Sequence, residues 1–289
     1  MLSSHEYIIS KQIQWAMNRD IPLKGSEGER GRKAYTSELN LNLFWPLIVR
    51  VRVRFEQGNG NEINGSVDSP AKMQAVHSSS ALGVNVFQYW EGIDQVPVIA
   101  AACGFCDKGE LISEKIIFED KYHIKGINRI PPNIDVVIHN SNLSKFKYFA
   151  IECKYSEAYG THKPAGLKPA YLNAGELWED IPGLHKLTQS ISPDNTIDQF
   201  LDTAQLIKHI LGLKTCCEKG GFKLLYLWYD VLGQEGARHR DEIERFKKIA
   251  VDDGVHFSAM TYQELILSLA NDQREEHTEY IKYLTERYL

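Results

Sequence analysis

Three runs between residues 115 and 155 set the strongest limit on what this chain can fold into. Residues 115–124, 133–139 and 147–155 are short, rich in Ile, Val, Phe and Tyr, and separated by Gly126, Pro131, Pro132, Asn140 and Asn142. Short β-branched and aromatic runs bounded by turn formers read as strands, and loops this brief join strands most economically as antiparallel neighbours. Helical spacing precedes them from about residue 70 to 90, where Asp68, Ser69 and Pro70 supply a capping side chain and a first-turn proline. Behind them the pattern alternates: a helix at 197–213, a strand at 222–229, a charged helix at 237–250, a strand at 255–259 and a final helix. The order predicts an α/β fold with a mixed central β-sheet flanked by helices.

Within the third run, alternation sets Phe149, Ile151, Cys153 and Tyr155 on one face, and Tyr148, Ala150, Glu152 and Lys154 on the other. In the second run Asn133, Asp135, Val137 and His139 oppose a core face of Ile134, Val136 and Ile138, so pairing the two strands can bring Asp135 beside Glu152. Two carboxylates on neighbouring strands suit a hard divalent cation such as Mg2+ or Mn2+, and a lysine two residues from one of them can orient water or stabilise charge on phosphorus. The plainer reading of Glu152 and Lys154 is a solvated strand face carrying a surface ion pair. Against it, Ile151 and Cys153 imply burial on the opposite face, and Ala150 and Tyr148 are unusual neighbours for a solvated one.

The stretches Asn133-Ile-Asp135-Val-Val-Ile and Phe149-Ala-Ile-Glu152-Cys-Lys154-Tyr-Ser-Glu157 resemble the Asp...Glu-x-Lys signature of the PD-(D/E)xK nuclease superfamily. The helix before them and the strand order resemble that superfamily's restriction-endonuclease-like core. His77-Ser-Ser-Ser-Ala-Leu with Asn85-Val-Phe87, and the helix around Gln205-Leu-Ile-Lys208, look like a group of restriction-endonuclease-like proteins within it. The proline position departs from the usual pair, since Pro131 and Pro132 lie four and three residues before Asp135. The resemblance implies a Mg2+- or Mn2+-dependent hydrolase that cuts DNA as an endonuclease, with Asp135 and Glu152 on the metal, Lys154 in catalysis, and Gln205 directed at the phosphate or the lysine. Double-stranded DNA is the expected substrate, RNA and branched DNA remain open, and so does a non-catalytic binding protein that keeps the fold. A homodimer would present two sites to two strands.

The resemblance covers 70–289. Residues 1–69 form an N-terminal extension of unassigned role, with a helix near 6–17, a Gly- and charge-rich loop at 24–33, and a strand at 41–55 whose Arg50, Arg52 and Arg54 alternate with valines. That basic face is either a solvated edge or a phosphate-binding stripe. Residues 156–195, with four prolines, read as a long loop insertion carrying His162, Lys163, Lys168 and Tyr171, either a plain surface loop or one that reaches substrate.

Glu119 on the first strand is a further metal ligand or a surface glutamate; Glu91 is a second candidate, and Glu157 suits a loop or capping role. Lys208 and Lys163, with Arg238 and Arg240 on the charged helix, are the candidate nucleic-acid contacts, although intrahelical pairing explains the arginines equally well. His77 and its serines lack the acidic partner a Ser-His nucleophile needs. Cys103 and Cys106 form a Cys-x-x-Cys pair, but the adjacent Cys216 and Cys217 lack the spacing to complete a zinc site, which leaves idle thiols as the default. The odd count of 5 cysteines points to a reducing, cytoplasmic setting, and no run approaches the ~18 apolar residues of a membrane span. A net charge of -5 leaves any nucleic-acid surface to a local patch.

Overall fold

The computed structural model describes residues 2–25, 33–58, 60, 62–66, 69–127, 130–161, 163–271 and 274–289. Its helices are α1 (Ser4–Met17), α2 (Val49–Gln57), α3 (Ser79–Gly92), α4 (Val96–Ala102), α5 (Pro169–Leu172), α6 (Pro182–Ser190), α7 (Thr203–Cys217), α8 (Gln234–Asp252), α9 (Tyr262–Asn271) and α10 (Thr278–Tyr288). Two short strands, β1 (Leu23–Lys24) and β2 (Tyr35–Thr36), make a small antiparallel ribbon. The main sheet runs in the order β3 (Ser113–Lys121), β4 (Asn133–Asn140), β5 (Tyr148–Lys154), β6 (Phe222–Trp228), β7 (Phe257–Thr261). Its first three strands are antiparallel and its last three parallel, so the expected mixed sheet flanked by helices is what the chain forms. Parallel neighbours need a crossover, which α7 supplies between β5 and β6 and α8 between β6 and β7.

Both faces of the sheet are covered. Cys153 lies against Gly83 of α3, its sulfur 3.7 Å from where a Cβ would stand, whereas Glu152 on the opposite face meets His209 of α7. Strands buried on both faces need continuous apolar sequence, and β6, Phe-Lys-Leu-Leu-Tyr-Leu-Trp, has it. Close approach of α7 depends on Gly212, where a Cβ would sit 2.9 Å from the Tyr122 carbonyl oxygen and from its Cβ.

Several expectations change. Residues 41–55 do not form a strand: after a short 3-10 turn (Leu39–Asn42), Val49–Gln57 is helical. The Val-Arg alternation mimics a period of two, but burial follows the helix, because Val51 and Phe55 are buried while Val49 is 79% exposed. Two of its three arginines are engaged, Arg50 with Glu91 and Arg54 with Asp120, while Arg52 is exposed. The helix expected from residue 70 starts at Ser79, capped by Ser78, whose hydroxyl accepts from the Ala81 N–H. Tertiary pairing overrides the earlier signal, since Ala75 bridges Tyr35 and the Val76 N–H bonds the Ala34 carbonyl; the expected cap Asp68 lies outside the described residues.

The 156–195 segment is not a long loop. Pro169 and Pro182, read as loop markers, open helices α5 and α6. Asp253 caps α6 by accepting from the Gly183 and Leu184 N–H groups, and Leu184 and Leu187 are buried. His162, and residues 26–32 of the expected 24–33 loop, lie outside the described residues. The expected single final helix is two, α9 and α10.

Residues of the first 69 share the main core, where Ile8, Leu43, Leu47, Val51 and Phe55 cluster with the sheet. Among the described residues no helix is long and apolar enough to cross a membrane.

Candidate active site

Strand register builds an acidic row. Phe118 pairs with Val136 and Asp120 with Ile134, which sets Glu119 opposite Asp135. Val136 pairs with Ile151, and one step beyond that pair Asp135 stands opposite Glu152. Directly opposed residues share a sheet face, so Glu119, Asp135 and Glu152 cross three adjacent strands on one side, with Lys154 next along β5. Asp135 is tied to β5 by its Oδ2, which accepts from the Cys153 N–H at 2.7 Å. Glu119 has a φ of 53°, uncommon for a non-glycine residue, and its Oε2 accepts from Asn133 Nδ2 at 2.5 Å.

Helix α7 covers the far end of the row. Asp202 caps it by accepting from the Gln205 N–H, and Glu242 of α8 pins the preceding loop by accepting from the N–H groups of Gln199, Phe200 and Leu201. Gln205 thereby meets the lysine, with Lys154 Nζ donating to Gln205 Oε1 at 2.9 Å. One turn on, His209 Nε2 lies 2.8 Å from Glu152 Oε2. Lys154 Nζ is 2.6 Å from Glu152 Oε1. The sequence reading brought together Asp135, Glu152, Lys154, Gln205 and Glu119, and missed His209 and Asn133. His209 had a local signal: it stands four residues after Gln205, on the same helical face.

The charges sort unequally. Burial opposes ionisation of Glu152, but Lys154 and His209 more than offset it and hold the carboxyl down at about 2. Burial and the charges of Glu152 and Glu119 push Asp135 well above the usual carboxylate range, against the pull of Lys154. Burial, Glu62 and Glu152 raise Glu119 to about 7. Burial disfavours the Lys154 ammonium, yet Glu152 and Asp135 prevail and hold its pKa well above the ordinary lysine value.

The remaining candidates are placed as follows. Glu91 is buried, accepts from the Ile116 N–H at 2.7 Å and pairs with Arg50. Glu157 accepts from the Tyr155 N–H, a local turn contact. Lys208 is half-buried on α7 and Lys163 is exposed; neither has an ion-pair partner among the described residues. Arg238 pairs with Glu242 and Arg240 with Asp230. Cys103, Cys106, Cys216 and Cys217 are free thiols. Among the described residues no group of three or more His, Cys, Asp or Glu side chains is arranged to close around a metal ion. A recess of about 220 Å3 opens beside Glu119, lined also by Arg54, Gln57, Gly58, Asp120 and Lys121. Larger cavities, of about 320 Å3 at Trp90 and Ile281 and about 830 Å3 at Tyr7 and Leu267, are lined by none of the acidic-row residues.

Comparison with known proteins gives no match among curated proteins or among solved structures. One family matches, described as Restriction Endonuclease associating with ARP, and the match spans residues 9–289, most of the unassigned N-terminal region included. A match over nearly the whole length, on a mixed sheet flanked by helices, establishes that the chain belongs to this restriction-endonuclease-like family.

Proposed function

We propose that the chain is a metal-dependent endonuclease of the PD-(D/E)xK kind that hydrolyses DNA phosphodiester bonds, with Asp135, Glu152 and Lys154 as its catalytic centre. The observation that carries this reading is the row of Glu119, Asp135 and Glu152 across three paired strands with Lys154 beside it. Mg2+ or Mn2+ fits such donors: these ions take carboxylate oxygens from one or two residues and keep several waters, so a closed cage of protein ligands is not required. The repulsion that lifts Asp135 and Glu119 is what a bound dication would relieve. When bound, such an ion acidifies water and neutralises charge developing on the phosphate. Asp135 and Glu152 would hold it, with Glu119 as a further ligand.

The protein's own groups fill the remaining roles. Lys154 stays an ammonium at neutral pH, so it donates and does not act as a base. We assign it the orientation of the attacking water and stabilisation of the phosphoryl oxygens, with Gln205 fixing its position. A bond forms from the water oxygen to phosphorus as the bond to the leaving sugar oxygen breaks. The water gives up a proton, the leaving oxygen takes one, and no covalent enzyme intermediate is needed. Lys208 and Lys163 are assigned to backbone phosphates; Arg238 and Arg240 would have to release Glu242 and Asp230 to join them.

The test is nicking of supercoiled plasmid with Mg2+ or Mn2+ by wild type, Asp135→Ala and Lys154→Ala, prepared identically. Metal-dependent nicking lost in both variants is the expected result. Equal activity in all three would expose a contaminant and refute the assignment. If no sample cuts, Mn2+ binding by wild type but not by Asp135→Ala decides whether the site exists.

A further inference from the structure

Two buried histidines contrast sharply. His239 satisfies both ring nitrogens, Nε2 with the Tyr226 hydroxyl at 3.0 Å and Nδ1 with the Tyr159 hydroxyl at 3.2 Å. The Tyr159 hydroxyl already donates to the Tyr229 carbonyl, so it accepts from His239 Nδ1, and Nε2 accepts from Tyr226. That is a structural histidine with its hydrogen bonding complete. His209 is equally buried, but its Nδ1 makes no hydrogen bond among the described residues. Its one polar contact is Nε2 to Glu152 Oε2 at 2.8 Å.

An unmet buried polar atom is destabilising, so an apolar side chain of similar shape would serve packing better at this position. Glu152 is an ionised carboxylate and acts only as an acceptor, which requires a hydrogen on His209 Nε2 in either charge state of the ring. Gln205 and His209, one turn apart on α7, thus grip Lys154 and Glu152 respectively. The helix sets the two β5 side chains separately, one through the ammonium and one through the carboxylate.

We propose that His209 is a positioning residue that fixes Oε2 of Glu152 through its Nε2–H and so directs Oε1 toward the divalent cation. The proposal rests on the metal-dependent reading above. Groups that orient a ligating side chain from behind change metal affinity by about 10–100-fold when removed.

The test compares His209→Leu, which fills the space without a donor, with His209→Gln, whose amide restores one. Mn2+ affinity is measured by calorimetry on the full chain, after circular dichroism has shown that each variant is folded. His209→Leu should bind Mn2+ about 10-fold or more weakly, and His209→Gln should recover most of that loss. Wild-type affinity in the Leu variant overturns the proposal, as does equal impairment in both, which would mark a purely steric role. Should neither variant fold, the decision passes to imidazole nitrogen NMR of the metal-free wild type, where Nε2 should appear protonated and shift in Glu152→Gln. An unprotonated Nε2 overturns the proposal without reference to metal. A wild type that binds no Mn2+ while keeping this NMR signature refutes the metal reading, and this inference falls with it.

Discussion

Replacing Arg287 with Met should destabilise the whole chain. Arg287 is 1% exposed and lies near the C-terminal end of α10. Among the described residues no carboxylate pairs with it. Its guanidinium donates to Gln12 Oε1 at 3.0 Å, the Asn42 carbonyl at 2.8 Å, the Val76 carbonyl at 3.3 Å, and Asn42 Oδ1 and the Tyr283 hydroxyl, while stacking 4.1 Å from the centre of the Trp15 ring. In Arg287→Met the Asn42 carbonyl keeps the Asn85 amide as donor. Gln12 Oε1, Asn42 Oδ1 and the Val76 carbonyl keep no donor that these contacts supply. At about 1 kcal/mol each, the low end for an unmet buried acceptor, the loss is about 3 kcal/mol, partly offset because the guanidinium no longer has to be desolvated. We therefore expect a loss of about 2–3 kcal/mol, a large share of a typical total of about 5–15 kcal/mol. Urea unfolding, read as a shift of midpoint at constant slope, measures it. Because its partners outside α10 come from residues 12–76, the transition should stay single, with the N-terminal region melting together with α10. A loss below about 1 kcal/mol would mean that desolvation cancels these bonds, and an early separate transition would show that the N-terminal region folds by itself; either refutes the reasoning.

Lys154→Met should lower the nicking rate by about 100-fold or more while Mn2+ binding tightens, because the ammonium now 2.6 Å from Glu152 competes with the cation; weaker binding in calorimetry would count against the assigned roles. Glu242→Ala leaves the N–H groups of Gln199, Phe200 and Leu201 without their acceptor and should cost about 3 kcal/mol or more, measured by urea unfolding; a loss within 0.5 kcal/mol, the usual range of a surface substitution, would show that water replaces the carboxylate freely. Burial, with Lys154 and Arg240 nearby, pulls His239 down to about 3, below its ordinary 6.5. Unfolding therefore takes up a proton between those two values, so this contribution is complete above pH 6.5 and is lost as pH falls toward 3, by up to about 1.4 kcal/mol per unit. A pH series comparing wild type with His239→Gln should show the shallower slope in the variant, and parallel curves would contradict the assignment.

How much of the site could be read from the sequence depended on which periodicity fixed each group. Asp135, Glu152 and Lys154 lie in strands whose period of two settles the face, and short antiparallel connections leave few registers that bury Val136 and Ile151 together. Glu119 was ambiguous because its alignment with Asp135 depends on a third strand and on a positive φ that composition does not signal. His209 comes from a helix 57 residues away from Glu152, and only the rotation of α7 about its axis decides which side chain meets the carboxylate. That rotation is set by contacts absent from any local window, namely Gly212 against Tyr122, the Asp202 cap, and Glu242 holding the loop before it.

The misread α2 has the same origin. Val49, Val51 and Val53 alternate with arginines as a strand would, but in the helix Phe55 packs tilted against Phe118 of β3, and Arg50 and Arg54 pair with Glu91 and Asp120. Long-range pairing outweighed β-propensity there. The segment that local reading misplaced thus helps to brace the site, alongside one it placed. Arg54 of α2 holds Asp120, the immediate neighbour of Glu119, and the Lys154–Gln205 bond holds only while α7 keeps its rotation. Residues that carry the charge are legible from alternation, whereas residues that hold them in place become legible only once the helices are seated.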